Sequence, residues 1–278
     1  MSEYLKDKVI VITGAGSGFG KLIAEKTAAA GAHVVGVDVN ADNVNAVVEG
    51  IRAAGGSALA QVADVTDMEQ VAAAANATVE KFGAIDVLVN NAGVMPLAYF
   101  ADHARAWQKW HAAIDINIKG VVNGISAVYD QMIAQGRGQV VNISSIYGNA
   151  GIEGSGVYSA TKAAVTTISD SLRIEAKGKI KVTTVKPTGI TGTNLASWIV
   201  NDTAIMGLVG QRAASYGEHV TALMNDDLPA ELTDVDSIKY WLIKPEDLAD
   251  AVVHVIDQPW GISLSDVTVR ASGEDYLY

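Results

Sequence analysis

The chain has 278 residues, 49% of them hydrophobic, enough to bury the core of one large α/β domain spanning 1–278. A net charge of -11 and the lack of any basic run argue against a nucleic-acid partner, because such proteins draw their affinity from a basic surface. Zero cysteines remove disulfides and thiol chemistry, the five histidines show no metal-ligand spacing, and with no long apolar run or leader-like N-terminus the expectation is a cytoplasmic protein with no membrane span and no metal.

Residues 9–12 form an apolar run that reads as a strand buried on both faces, ended by Thr13. TGAGSGFG follows at 13–20, and from Gly20 the pattern reads as a helix closed by Gly31. Glycine lets backbone N–H groups approach a pyrophosphate, and the helix N-terminus supplies matching partial positive charge. Gly14, Ser17, Gly18, Phe19 and Gly20 therefore form a candidate dinucleotide cradle. A second strand, 33–37, leads to Asp38, 18 residues past Gly20, where an acid accepts hydrogen bonds from the adenosine ribose hydroxyls. Its neighbours Ala15, Gly16, Ser17 and Val39 offer no cation for a 2'-phosphate, which favours NAD over NADP.

A helix over 41–54 stops at Gly55-Gly56, and 58–63 reads as the third strand. Thr66 and Glu69 suggest a capping box for a helix running to Phe82; Asp64 either belongs to that cap or, with Val65, contacts adenine. Residues 85–89 are the fourth strand, terminated by NNAG at 90–93. From Trp110 to Ile133 the apolar positions spread too widely for a helix covered on one side only.

Residues 140–143 read as the fifth strand, with Ser145 just past its end, and 158–174 as a helix carrying Tyr158 and Lys162 one turn apart. A small-residue loop between them lets Ser145 fold back over that face. The trio suits hydride transfer between a secondary alcohol or ketone and a nicotinamide: an ammonium beside a phenol favours the phenolate, and a serine hydroxyl holds the substrate oxygen. Taken alone, a tyrosine and a lysine four apart also describe a solvated surface pair.

Thr13, Gly14, Gly18 and Gly20 as TGxxxGxG, NNAG at 90–93, a serine 13 residues before a tyrosine, and YxxxK together resemble the short-chain dehydrogenase/reductase family in its compact branch. The resemblance implies a Rossmann-like, doubly wound parallel sheet of seven strands in the order 3-2-1-4-5-6-7, flanked by helices, with the active site at the strand carboxyl ends. It implies that Asn91, Ala92 and Gly93 border the coenzyme and that Lys162 also binds the nicotinamide ribose. It assigns Asn117, in the NxxG pattern at 117–120, the holding of a water linking Lys162 to solvent. It also implies a homodimer or homotetramer built on the 110–133 and 158–174 helices.

After a sixth strand at 181–185 the family's Pro-Gly is replaced by Pro187-Thr188, with Gly189 following. By resemblance, Pro187, Gly189, the Ile190 backbone and Thr193 grip the nicotinamide, Thr191 being a rival for the last role. Residues 195–240 form an insertion, either a substrate lid or an ordinary packed helical pair, with Trp198, Ile199, Ile205, Met206, Leu208, Val209, Leu223 and Met224 as its apolar underside. Met95, Pro96, Ile146, Tyr147 and Ile152 at other rims suggest an apolar substrate. A helix starting at Pro245, a last strand at 266–270 and a tail with two tyrosines complete the chain. The leading expectation is an NAD-dependent oxidoreductase for an apolar, cyclic or aromatic secondary alcohol or its ketone, with Tyr158 as general acid/base. Its rivals are an NADPH-dependent carbonyl or 3-oxoacyl reductase and a non-catalytic nucleotide sensor.

Overall fold

Alternating burial of short apolar runs dictates the framework. In β1 (Val9–Thr13) Ile10 and Ile12 point to one face of the sheet and Val11 to the other, and all are buried. The computed structural model describes residues 4–190 and 194–277. In chain order, β1 is followed by α1 (Gly18–Ala29), β2 (His33–Asp38), α2 (Ala41–Ala53), β3 (Ser57–Val62), α3 (Met68–Phe82) and β4 (Val87–Asn90). Then come α4 (His103–Ile114), α5 (Gly120–Ala134), β5 (Gly138–Ile143), α6 (Gly156–Glu175) and β6 (Ile180–Pro187). The C-terminal part holds α7 (Met206–Val209), α8 (Ala213–Met224), α9 (Ala230–Thr233), α10 (Pro245–Ile256) and β7 (Asp266–Val269).

All strand pairs are parallel, and the order is β3-β2-β1-β4-β5-β6-β7, as expected. One face is covered by α1, α2 and α10 through Ile23, Val48, Ile51, Leu248 and Val252. The other is covered by α3, α5 and α6 through Ala74, Val128, Met132 and Leu172. The connection reverses direction between β1 and β4, which opens a crevice at their carboxyl ends.

Two local details differ from expectation. Helix α3 is capped by Asp67, whose carboxylate accepts from Glu69 N at 2.9 Å and Gln70 N at 3.2 Å. Thr66 instead donates through both its N–H and its hydroxyl to Asp64 Oδ1, each at 2.8 Å, because an aspartate two residues upstream captures it in an Asx turn. The long helix around Asn117 is not uniform: Asp115–Lys119 is a π turn between α4 and α5. Trp107, Ile114 and Val122 remain exposed on its outer side. Among the described residues no helix is long and apolar enough to cross a membrane.

Candidate active site

The crevice is built first by glycine. Gly14 and Gly18 adopt left-handed φ of 67° and 54°. At Gly20 a Cβ would overlap Gly14 O and Asn91 Nδ2, so only glycine lets α1 start this close to the end of β1. The ends of β1 and β4 are laced together: Thr13 Oγ1 accepts from Asn91 N (3.0 Å) and Ala92 N (3.1 Å), and Asn91 Nδ2 donates to Thr13 O (2.8 Å). Ser17 occupies the α1 N-cap without a side-chain capping bond, so the first N–H groups of the helix lack a side-chain partner there.

The resulting cleft of about 550 Å³ is lined by Gly14, Ser17, Gly18, Phe19, Gly20, Asp38, Asp64, Val65, Asn91, Ala92, Gly93, Tyr158, Lys162 and Pro187. Gly189 and Ile190 lie just beyond its lining, Ile190 forming a bridge with Ile243. Thr193 and its rival Thr191 fall outside the described residues. Ala112, Asp115 and Ile116 from the α4 end, and Leu195 and Trp198 from the insertion, also line the cleft. Of these only Trp198 is expected from the sequence, as part of the insertion's apolar underside; the fold brings the others to this wall.

Asp38 is fixed by two backbone donors, Gly16 N to Oδ2 and Asn40 N to Oδ1, both at 2.9 Å. Asp64 also lines the cleft, with one of its oxygens engaged by Thr66. A glycine cradle where a Cβ would collide, a helix N-terminus aimed at it and a carboxylate at the end of β2 match the shape and polarity of a dinucleotide.

Tyr158 and Lys162 line the cleft, and Ser145, not itself in the lining, lies beside Tyr158. Ser145 caps a short 3₁₀ turn, its Oγ accepting from Tyr147 N at 3.2 Å, and its side chain is the neighbour that favours ionisation of the Tyr158 hydroxyl. Lys162 Nζ donates to Ile143 O at 2.8 Å and sits 5.8 Å from the Tyr158 ring centroid. All three are buried. Burial pushes the Tyr158 hydroxyl up to about 12, against the opposing pull of Ser145, and takes the Lys162 ammonium down to about 8. Burial dominates the phenol, and the group that opposes it is Ser145 rather than the Lys162 ammonium.

Asn117 is 1% exposed within the π turn, and both ends of its amide are engaged. Oδ1 accepts from Val94 N and Nδ2 donates to Val94 O, both at 2.9 Å, with a further bond to Thr161 Oγ1 at 3.0 Å. Its side chain therefore pins the segment after NNAG to α6. It also borders Lys162: a Cβ on Gly93 would lie 3.2 Å from Asn117 Oδ1 and 3.5 Å from Lys162 Nζ.

Beneath the trio runs a buried polar chain that escaped sequence reading. Asn90 Nδ2 donates to Asn142 Oδ1 (2.9 Å), Asn142 Nδ2 to Ser169 Oγ (2.8 Å), and Ser144 Oγ to Lys162 O (2.8 Å). A signal existed: Asn90 ends β4, Asn142 is next to last in β5, and the two are in register.

The insertion covers this end. Ala204, Leu208 and Val209 are buried in one cluster with Ile146, Tyr147, Ile152 and Tyr158, and Met95, Ile199 and Ile205 pack against it. Met206, Leu223 and Met224 are exposed instead, so the apolar underside is smaller than expected. The tail turns back on its own chain, and Tyr276 joins the same cluster.

Fold and cleft together define a doubly wound α/β oxidoreductase with a glycine-lined cleft at its switch point. The family model described as short chain dehydrogenase matches residues 8–203, and the chain belongs to that family. An uncharacterized oxidoreductase of Listeria monocytogenes is 32% identical over 98% of this chain and 99% of its own length. Glycine betaine reductase of Emericella nidulans is 33% identical over 97% of this chain, which spans only 19% of that protein. Among solved structures, a 7α-hydroxysteroid dehydrogenase complexed with NADH and 7-oxo glycochenodeoxycholic acid has TM-score 0.78 and 27% identity, covering 100% of this chain and 99% of that one. A metagenomic short-chain oxidoreductase in complex with NADP has TM-score 0.71 and 28% identity, covering 96% and 98%.

Proposed function

We propose that the protein is an NAD-dependent oxidoreductase interconverting an apolar, cyclic or aromatic secondary alcohol and its ketone, with Tyr158 as general acid/base. The observation that carries this reading is that Tyr158, with Ser145 beside it, and Lys162 line the same cleft as the glycine cradle. Bound nicotinamide coenzyme would supply or accept the hydride. Gly14 to Gly20 and the N-terminus of α1 would hold its pyrophosphate, and Asp38 its adenosine ribose.

The protein's own groups account for the proton. A carbonyl oxygen seated between Ser145 and Tyr158 meets two hydroxyl donors. Ser145 is oriented by Tyr147 N and keeps the oxygen in place. Tyr158, with its hydroxyl up at about 12, gives its proton to that oxygen as negative charge develops there. Lys162, protonated below about 8, then stabilises the phenolate left behind. In the oxidation direction the same groups act in reverse. Apolar side chains around Tyr158 exclude water and favour a neutral ring substrate, and the steroid relative supports that class.

A second reading, an NADPH-dependent carbonyl reductase, is favoured by the NADP held by the metagenomic relative. Asp38 opposes it: its carboxylate is held by backbone bonds where a 2'-phosphate would otherwise approach. The exposed Trp107, Ile114 and Val122 on the long helix support a homodimer or homotetramer. The testing experiment is a panel of cyclic, steroidal, aryl and short-chain secondary alcohols with NAD or NADP, followed by absorbance of the reduced coenzyme. Turnover of ring alcohols with NAD supports the reading; turnover of none of them with either coenzyme contradicts it.

A further inference from the structure

The C-terminal segment plays no part in the mechanism above, yet it is bonded throughout to the insertion. Asp275, 6% exposed, accepts from Ser215 Oγ (3.0 Å) and Trp241 Nε1 (2.8 Å) and pairs with His219 Nδ1 (3.1 Å). Leu277 N donates to Leu208 O (3.2 Å), Gly273 N to Tyr240 O (2.8 Å) and Arg212 Nη1 to Glu274 O (3.1 Å). Helices α7 and α9 have four residues each, too few to be stable by themselves, so contacts of this kind fix the cap. Tyr276 is buried in the cluster that contains Tyr147 and Tyr158. Its ring is 5.9 Å from that of Tyr216. Its hydroxyl lies against Gly189, where any Cβ would collide with it. One side chain therefore touches the cap and the loop after β6, and shares a cluster with the reactive tyrosine.

We propose that the tail clasps the cap shut in cis and that Tyr276 is a specificity-determining residue, its ring limiting the size of ring system that reaches Tyr158. The size-limiting part rests on the alcohol–ketone reading above; the clasp does not. Wild type, Tyr276→Ala, Tyr276→Phe and Asp275→Asn are compared on a series of cyclic alcohols graded from one ring to four. Each variant is first checked for native circular dichroism. Tyr276→Ala is expected to raise kcat/KM for the largest alcohol relative to the smallest by about tenfold or more, the discrimination a filled or emptied pocket supplies. Tyr276→Phe, which keeps the wall, is expected to leave that ratio unchanged. An unchanged ratio in folded Tyr276→Ala, or an equal loss on every alcohol, overturns the specificity role. If Tyr276→Ala does not fold, Tyr276→Leu, narrower than a phenol, takes its place with the same shift expected. Asp275→Asn is expected to speed limited proteolysis within 194–242, and cleavage at the wild-type rate overturns the clasp. A wild type inactive on the whole series rejects the functional reading instead, leaving the proteolysis result to decide the clasp.

Discussion

Substituting Lys162 by methionine keeps an unbranched side chain of similar length in the same slot and deletes its charge. Burial brings this ammonium from 10.5 down to about 8, which corresponds to ~3 kcal/mol against the charged form inside the fold. A lysine whose folded pKa is lowered subtracts stability while both folded and unfolded states hold the proton, that is, below about 8. The penalty fades as pH rises toward 10.5, where the unfolded chain also releases its proton. Opposing this, the variant loses the bond to Ile143 O, and a carbonyl left buried without its donor costs ~1–3 kcal/mol. At neutral pH the two effects nearly offset, so Lys162→Met is expected within ~2 kcal/mol of wild type. Between pH ~7 and ~10 wild type gains most of the ~3 kcal/mol and the variant gains none of it. Urea unfolding of both proteins at both pH values checks this, because the difference between them cancels the other titrating groups. The reasoning is refuted if that difference is the same at both.

The same lysine sets a pH profile: kcat/KM for ketone reduction should fall about tenfold per pH unit above about 8, as Lys162 loses the charge that stabilises the phenolate. A flat profile to pH ~9.5 contradicts that role. Asp38→Ser removes the fixed carboxylate and should shift the NADP-to-NAD affinity ratio by about tenfold or more toward NADP, read by fluorescence titration. Asn142→Ala leaves Asn90 Nδ2 and Ser169 Oγ without their shared partner and should lower unfolding free energy by ~2–4 kcal/mol in urea titrations.

What could be read in advance was whatever depends on short spacing. The buried runs of β1, β4 and β5 announce a parallel sheet, and the glycines between Thr13 and Gly20 announce the cradle, because a two-residue strand period and a left-handed turn are local properties. The spacing of Tyr158 and Lys162 on α6 is equally local. The cap of α3 falls one residue beyond Thr66, because Asp64 captures Thr66 in a turn of its own and Asp67 accepts the first helical N–H groups. The engagement of Asn117 with Val94 spans 23 residues, and that of Asp275 with Trp241 spans 34, distances over which no period operates. The sequence places an ammonium near Tyr158, but its spacing does not reveal that the phenol is buried in one cluster with Ile146, Tyr147 and the insertion.

The central claim is that the Tyr158 hydroxyl moves the proton beside a dinucleotide held over the first glycine turn. Tyr158→Phe removes that hydroxyl alone, and its effect on turnover is measured together with NAD binding by fluorescence quenching. A loss of about a thousandfold or more in kcat, with the coenzyme dissociation constant little changed, is the result predicted for a lost acid/base. A variant that turns over at the wild-type rate, or one that no longer binds NAD, contradicts the account.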